Sequence, residues 1–161
     1  MKKRFDNYGA MILGMHDALV SLVGTIAGLT FALTNRRLIL LTGIITSVVA
    51  ALSMTAANYM ASKTNNDPMA PRTALYTGFA YMLTSALLLL PFVIFKNLDL
   101  AFISTIIVGI LIIFGFNAFI GLSRHRPFMR KFIEMLVICT IVSVIALIIG
   151  QCAKIFLHIE I

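Results

Sequence analysis

Five apolar blocks, each long enough to cross a bilayer and parted only by short polar connectors, leave this chain few ways to fold. A helix needs about 20 predominantly apolar residues to span the hydrocarbon core. The blocks run from about Tyr8 to Leu33, Leu38 to Ala61, Thr73 to Phe95, Leu100 to Leu122 and Phe132 to Phe156. In hydrocarbon, every backbone N–H and C=O must find its partner inside the protein, so the blocks are predicted to be helices and not open strands. The expected fold is all-α: an integral membrane protein of five transmembrane helices, forming a single domain over residues 1–161. Composition agrees. Hydrophobic residues make up 60% of the chain and charged ones 12%, against about 45–50% and about 25% in soluble domains.

The connectors carry the charge. "TNRR" (Thr34 to Arg37) parts the first two blocks, and "SKTNNDPMAPR" (Ser62 to Arg72) follows the second, with two prolines and an Asn-Asn-Asp run that stop a helix. "KNLD" and "SRHRPFMRK" part the rest. The side holding the N-terminus carries Lys2, Lys3, Arg4, Lys63, Arg72, Arg124, Arg126, Arg130 and Lys131, whereas the other carries Arg36, Arg37, Lys96 and Lys154. The side richer in Lys and Arg faces the cytoplasm, which predicts a cytoplasmic N-terminus and an outside C-terminus. In a soluble protein a net charge of +7 would suggest nucleic acid. Here the basic groups sit where topology signals and lipid headgroup contacts lie, so the bilayer is the expected partner and nucleic acid is not. The basic start before an apolar run resembles a signal peptide. The first block is much longer than the about 7–15 apolar residues of such a signal and no small-residue cleavage site follows it, so it is read as a transmembrane helix.

Enzyme chemistry finds little support. There is no nucleophile–base pair, no His-rich zinc motif and no pair of acids inside a span. Cys139 and Cys152 lie in the last block, 13 residues apart, on different faces of a helix and without ligand spacing; both read as small packing residues. Asp6, Asp67, Asp99 and Glu160 fall in termini or connectors. Glu134, four residues after Arg130, reads as an i, i+4 pair at a membrane edge. His125 and His158 lie in a connector and the tail, and His16 is about 100° around the helix from its neighbour Asp17. Asp17 alone is an acid well inside a span. A charge there costs about 2.5–3.5 kcal/mol on insertion scales, and its default meaning is an ion or proton path.

Asp17, Ser21, Gly24 and Gly28 recur along one face, and Gly24 with Gly28 makes a GxxxG pair that lets helices approach closely. The second block has a matching stripe of Ser47, Ala50, Met54, Asn58 and Ala61. Asn58 inside a helix needs a partner: Lys63, Tyr59 or a hydroxyl across the interface. If Asp17 and Met54 face one cavity, the donors are a hard oxygen and a soft thioether, which favours a borderline transition metal over Mg²⁺ or Ca²⁺. Two ligands are too few for a divalent ion. Two chains about a twofold axis would supply two Asp, two Met and the charge to balance a 2+ ion, so a homodimer is expected.

"HDALVSLVGTIAGL" followed by "ITSVVAALSMTAANYMASKT" resembles the first two helices of the vacuolar iron transporter family. "RTALYTGFAYMLTSALLLLPFVIF", with its late proline, resembles the third helix, and "GLSRHRPFMRKFIEMLVICTIVSVIALIIG" fits the last two in order and spacing. The resemblance implies a dimer of five-helix chains that moves Fe²⁺, and Mn²⁺, out of the cytosol in exchange for protons, along a path containing Asp17 and Met54. The metal is then cargo and no fixed cofactor is implied. The membrane would be the cell membrane in a prokaryote, or a vacuolar or other organelle membrane in a eukaryote. Three departures stand out. Ala18 replaces the glycine that follows the acid. Neutral Asn58 stands where some members carry glutamate. A glutamate-rich cytosolic domain is replaced by the Ser62–Arg72 connector, leaving Asp6 and the Asn65–Asp67 cluster as entrance candidates. Asp17, Met54 and Asn58 are the expected metal-site residues, and a non-transporting membrane partner or scaffold of the same fold is the alternative.

Overall fold

The computed structural model describes residues 2–33, 35–124 and 128–156. These form five α-helices: α1 (Lys2–Ala32), α2 (Arg36–Thr64), α3 (Ala70–Ile94), α4 (Leu98–Arg124) and α5 (Phe128–Phe156). All five are long and apolar enough to cross a membrane, and the chain is a multi-pass integral membrane protein. Each helix starts two to six residues before its apolar block, because apolarity marks the hydrocarbon-spanning part while the helix runs on until its end groups are capped.

The caps are visible at both ends of the first three helices' shared bundle. Asn35 opens α2 by accepting a hydrogen bond from the Arg37 N–H (3.0 Å). At its other end α2 stops at Asn65, and Asn66 takes a left-handed φ of 54°, a conformation that asparagine tolerates better than most residues. The Asp67 carboxylate then accepts from the Met69 N–H (2.9 Å) and leads into α3, which has Pro71 in its first turn. Asp67, expected as part of an entrance, is thus engaged in a turn. At the far end of α3, Arg36 donates to the carbonyls of Phe92 and Phe95, the latter at 2.9 Å. Those carbonyls have no partner in the helix ladder, so a residue expected only as a topology signal caps a neighbouring helix. Glu134 and Arg130 are both exposed, and no ion pair joins them.

About half of the α1 and α3 spans is buried, against about a fifth of α2 and α4 and a tenth of α5. Helices α1 and α3 are therefore the core. Gly14 abuts the Thr77 backbone and Ala18 packs on Tyr81, so the two run parallel. α2 lies antiparallel on the other side of α3, with Gly43 against Leu89 and Thr55 against Gly78. The GxxxG face of α1 packs on α5: Gly28 meets the Ala146 carbonyl and Gly150 meets the Gly28 carbonyl. α4 closes the bundle against α3, where the buried Thr105 hydroxyl donates to Leu88 O (3.0 Å). Toward the Arg36 end the interior is apolar, with Ile26, Ile39, Leu88, Leu89 and Phe92 packed in one cluster.

A side chain at Gly14 would run into the Thr77 carbonyl, which belongs to the backbone and cannot swing aside. Gly14→Ala should therefore lower the melting temperature in detergent, at a cost of about 1–3 kcal/mol. Gly9→Ala, in open space, should leave it unchanged or slightly raised. Equal effects of the two substitutions would refute the close α1–α3 approach.

Candidate functional site

The expected site residues fall on two levels of the α1–α2–α3 bundle. On the first, Ala18 of α1, Ala51 of α2 and Tyr81 of α3 meet in one buried cluster. Asp17 precedes Ala18 in the chain and is half-buried. The Ser21 hydroxyl lies 2.6 Å from the Asp17 backbone carbonyl and 2.9 Å from the Tyr81 phenol oxygen. Ser21 has one proton and the carbonyl can only accept, so Ser21 donates to Asp17 O and the phenol donates to Ser21. Tyr81 is 2% exposed, and that hydrogen bond gives its hydroxyl the partner that a buried phenol needs.

The second level is one turn nearer the Asn65 end of α2. There the Asn58 amide nitrogen donates to the Thr77 hydroxyl (2.7 Å), and the Ser62 hydroxyl donates to the Asn58 amide oxygen (3.1 Å). Thr77 donates to Thr73 O (3.2 Å). The partner of Asn58 is thus a hydroxyl across the interface, not Lys63, which lies over the Tyr59 ring at 5.8 Å. Met54 comes three residues after Ala51 and four before Asn58, between the two levels, and is half-buried. At 1.5 Å of rise per residue it is within about a turn of both.

The structure thus joins Ser21, one turn after Asp17, to Tyr81, and Asn58 to Thr77 and Ser62. No hydrogen bond joins Asn58 to Asp17. The shared face of Asp17, Ser21, Gly24 and Gly28 divides: Ser21 reaches α3 through Tyr81, while the two glycines pack on α5. Among the described residues no three His, Cys, Asp or Glu side chains cluster as a metal site. A cavity of about 360 Å³ between α1, α4 and α5 is walled by residues such as Leu19, Val23, Phe102, Ile113 and Cys139. Its wall is almost wholly apolar and contains no carboxylate. His125, His158 and Glu160 lie outside the described residues, as does the side chain of Asp6.

Sequence reading missed Tyr81 and Thr77. The signal was there: Thr73, Thr77, Tyr81 and Ser85 recur every four residues along α3 and are all buried. One polar face on an otherwise apolar helix marks an interior contact.

Residues 8–72 match the model of the VIT family. This stretch, less than half of the chain, is similar to that family. It covers α1 from Tyr8, all of α2 and the first residues of α3, and so includes Asp17, Met54 and Asn58. No curated protein gives a match.

The Ser21–Tyr81 bond can be measured. Tyr81→Phe and Ser21→Ala, singly and together, should show a coupling energy of about 0.5–1.5 kcal/mol in a double-mutant cycle of unfolding in mild detergent. Strict additivity would rule the bond out.

Proposed function

We propose that this chain is a VIT-family transporter, a homodimeric exporter that moves Fe²⁺, and Mn²⁺, out of the cytosol in exchange for protons. The observation that carries the reading is a half-buried acid, Asp17, in the apolar span of α1, one turn before the Ser21 hydroxyl that meets buried Tyr81, within the segment that matches the family. Such an acid is costly there and marks an ion or proton path. Met54, about a turn away along the bundle axis, adds a thioether that favours a borderline ion over Mg²⁺.

From the expected pair, Asp17 and Met54, a single chain supplies one carboxylate and one thioether. Two chains would double both and balance a divalent charge. In this reading the nine Lys and Arg residues on the N-terminal side, against four on the other, place the N-terminus and the Asn58 level toward the cytoplasm. Metal arrives from that side and meets ionised Asp17. Protonation of Asp17 from the other side removes its charge, weakens the ligand and releases the ion outward, so proton entry and metal exit alternate on one group.

A second reading keeps the fold without transport, as a membrane partner or scaffold. It is favoured by one observation: Asn58 is neutral, and its amide is already engaged by Thr77 and Ser62.

Proteoliposomes that report internal metal and pH together decide between the two. The exporter takes up Fe²⁺ with a matching proton movement, and Asp17→Asn abolishes both; Fe²⁺ flux undiminished in Asp17→Asn would overturn the mechanism. The scaffold shows neither flux in the wild type. Met54→Leu should fold normally and lose preference for Fe²⁺ over Mg²⁺, and an unchanged selectivity profile would remove the thioether from the ligand set.

A further inference from the structure

The hydrogen bonds of the Asn58 level have a direction. They end on Thr73 O, a backbone carbonyl, which can only accept. The single proton of the Thr77 hydroxyl goes to it (3.2 Å). The Thr77 oxygen is then left as an acceptor, so the side chain facing it must present a donor. Asn58 does so with its NH₂ group at 2.7 Å. Thr77 is wholly buried, so water does not compete for its lone pairs. With the nitrogen committed to α3, the amide oxygen of Asn58 is turned to the side of Ser62, one turn closer to the Asn65 end of α2, whose hydroxyl donates to it at 3.1 Å.

We propose that Thr77 is a positioning residue that locks the Asn58 amide so that its oxygen, with the Ser62 hydroxyl oxygen, forms a neutral two-oxygen station for a divalent cation on the connector side of Asp17. The proposal rests on the metal-transport reading and deepens it. The amide oxygen keeps a second lone pair and the Ser62 oxygen keeps two, and both residues are half-buried. Hard neutral oxygens suit Mn²⁺ or Mg²⁺, and without a charge they hold such an ion weakly. The station therefore passes the ion on to Asp17, one level further in. It also assigns Asn58 a role distinct from that of Asp17 and Met54. A carboxylate at position 58 could not donate to Thr77, so Thr77 would have to turn its proton away from Thr73 O; the amide and the threonine form a matched pair.

The test uses the full chain and Mn²⁺ as the probe. With asparagine-selective ¹⁵N labelling, Thr77→Val should speed hydrogen exchange of the Asn58 NH₂ group. In proteoliposomes it should lower the initial rate of Mn²⁺ uptake at limiting Mn²⁺ about fivefold, the scale of one lost hydrogen bond. Thr77→Ser keeps the hydroxyl and should restore both readouts. Ser62→Ala, near the end of α2 and harmless to the fold, should lower uptake by a similar factor, and it serves even if Thr77→Val does not fold. Faster exchange with unchanged uptake, or uptake indifferent to Ser62→Ala, would overturn the station while leaving transport through Asp17 standing. A wild-type chain with no Mn²⁺ uptake at all would overturn the transport reading and the station with it.

Discussion

The contact between Gly14 of α1 and the Thr77 carbonyl of α3 is the constraint on which the rest of the bundle depends. Lipid tails are as apolar as leucine, so helices in a bilayer gain little by burying hydrophobic side chains against one another and rely on close packing and hydrogen bonds. A glycine that lets two backbones meet shortens the distance between axes over several turns. That shortening puts the Ser21 hydroxyl within 2.9 Å of Tyr81. Gly78, against Thr55, does the same for α2 and α3 one residue further along, and Asn58 can then reach Thr77. The polar contacts are consequences of the glycine contacts, because short side chains such as serine and asparagine cannot bridge helices at ordinary separation.

Helix α3 is the common member of both levels. Its hydroxyl face supplies the acceptor for Asn58 and the phenol for Ser21, and its apolar neighbours fill the cluster toward the Arg36 end. Its two ends are held differently. The start is set by a local turn built on Asp67 and Pro71. The end, interrupted by Pro91, is capped by Arg36 from α2. A charged side chain can therefore serve topology by its location and hold a helix end by its hydrogen bonds at once.

Much of this was legible in the sequence. Five spans follow from block length, and the fall of α1 onto another helix follows from Gly24 and Gly28. What could not be read was which helix. GxxxG states that some backbone comes close, and only the assembled bundle shows that Ala146 and Gly150 of α5 receive it. Asn58 announced its need for a partner because an unpaired amide in hydrocarbon is costly, yet the partner, Thr77, lies 19 residues away on another helix. Asp17 stood out because charge in an apolar run is conspicuous. Thr77 and Tyr81 did not, since hydroxyls are ordinary in membrane helices and become informative only as a buried row. Asp67 carries a local role that its place in a connector does not announce: its carboxylate closes the turn into α3.

The two polar levels and the apolar cluster lie in sequence along the bundle axis. Between the Asn65 end of α2 and Tyr81, each level carries side-chain oxygens: Asn58, Ser62 and Thr77 on one, Ser21 and Tyr81 on the other. Beyond Tyr81 toward Arg36, the α1–α2–α3 interior offers Ile26, Ile39, Leu89 and Phe92, none more than 6% exposed. Among these apolar groups stand the buried hydroxyls of Ser47 and Ser85, the former donating to Gly43 O (2.6 Å). The contact at Gly14 is with the Thr77 backbone and that at Gly78 with the Thr55 side chain, whereas the apolar end is held by side-chain packing and by the Arg36 cap. The two ends of α3 are thus held by different means, close glycine contacts at one and apolar packing with a cross-helix cap at the other.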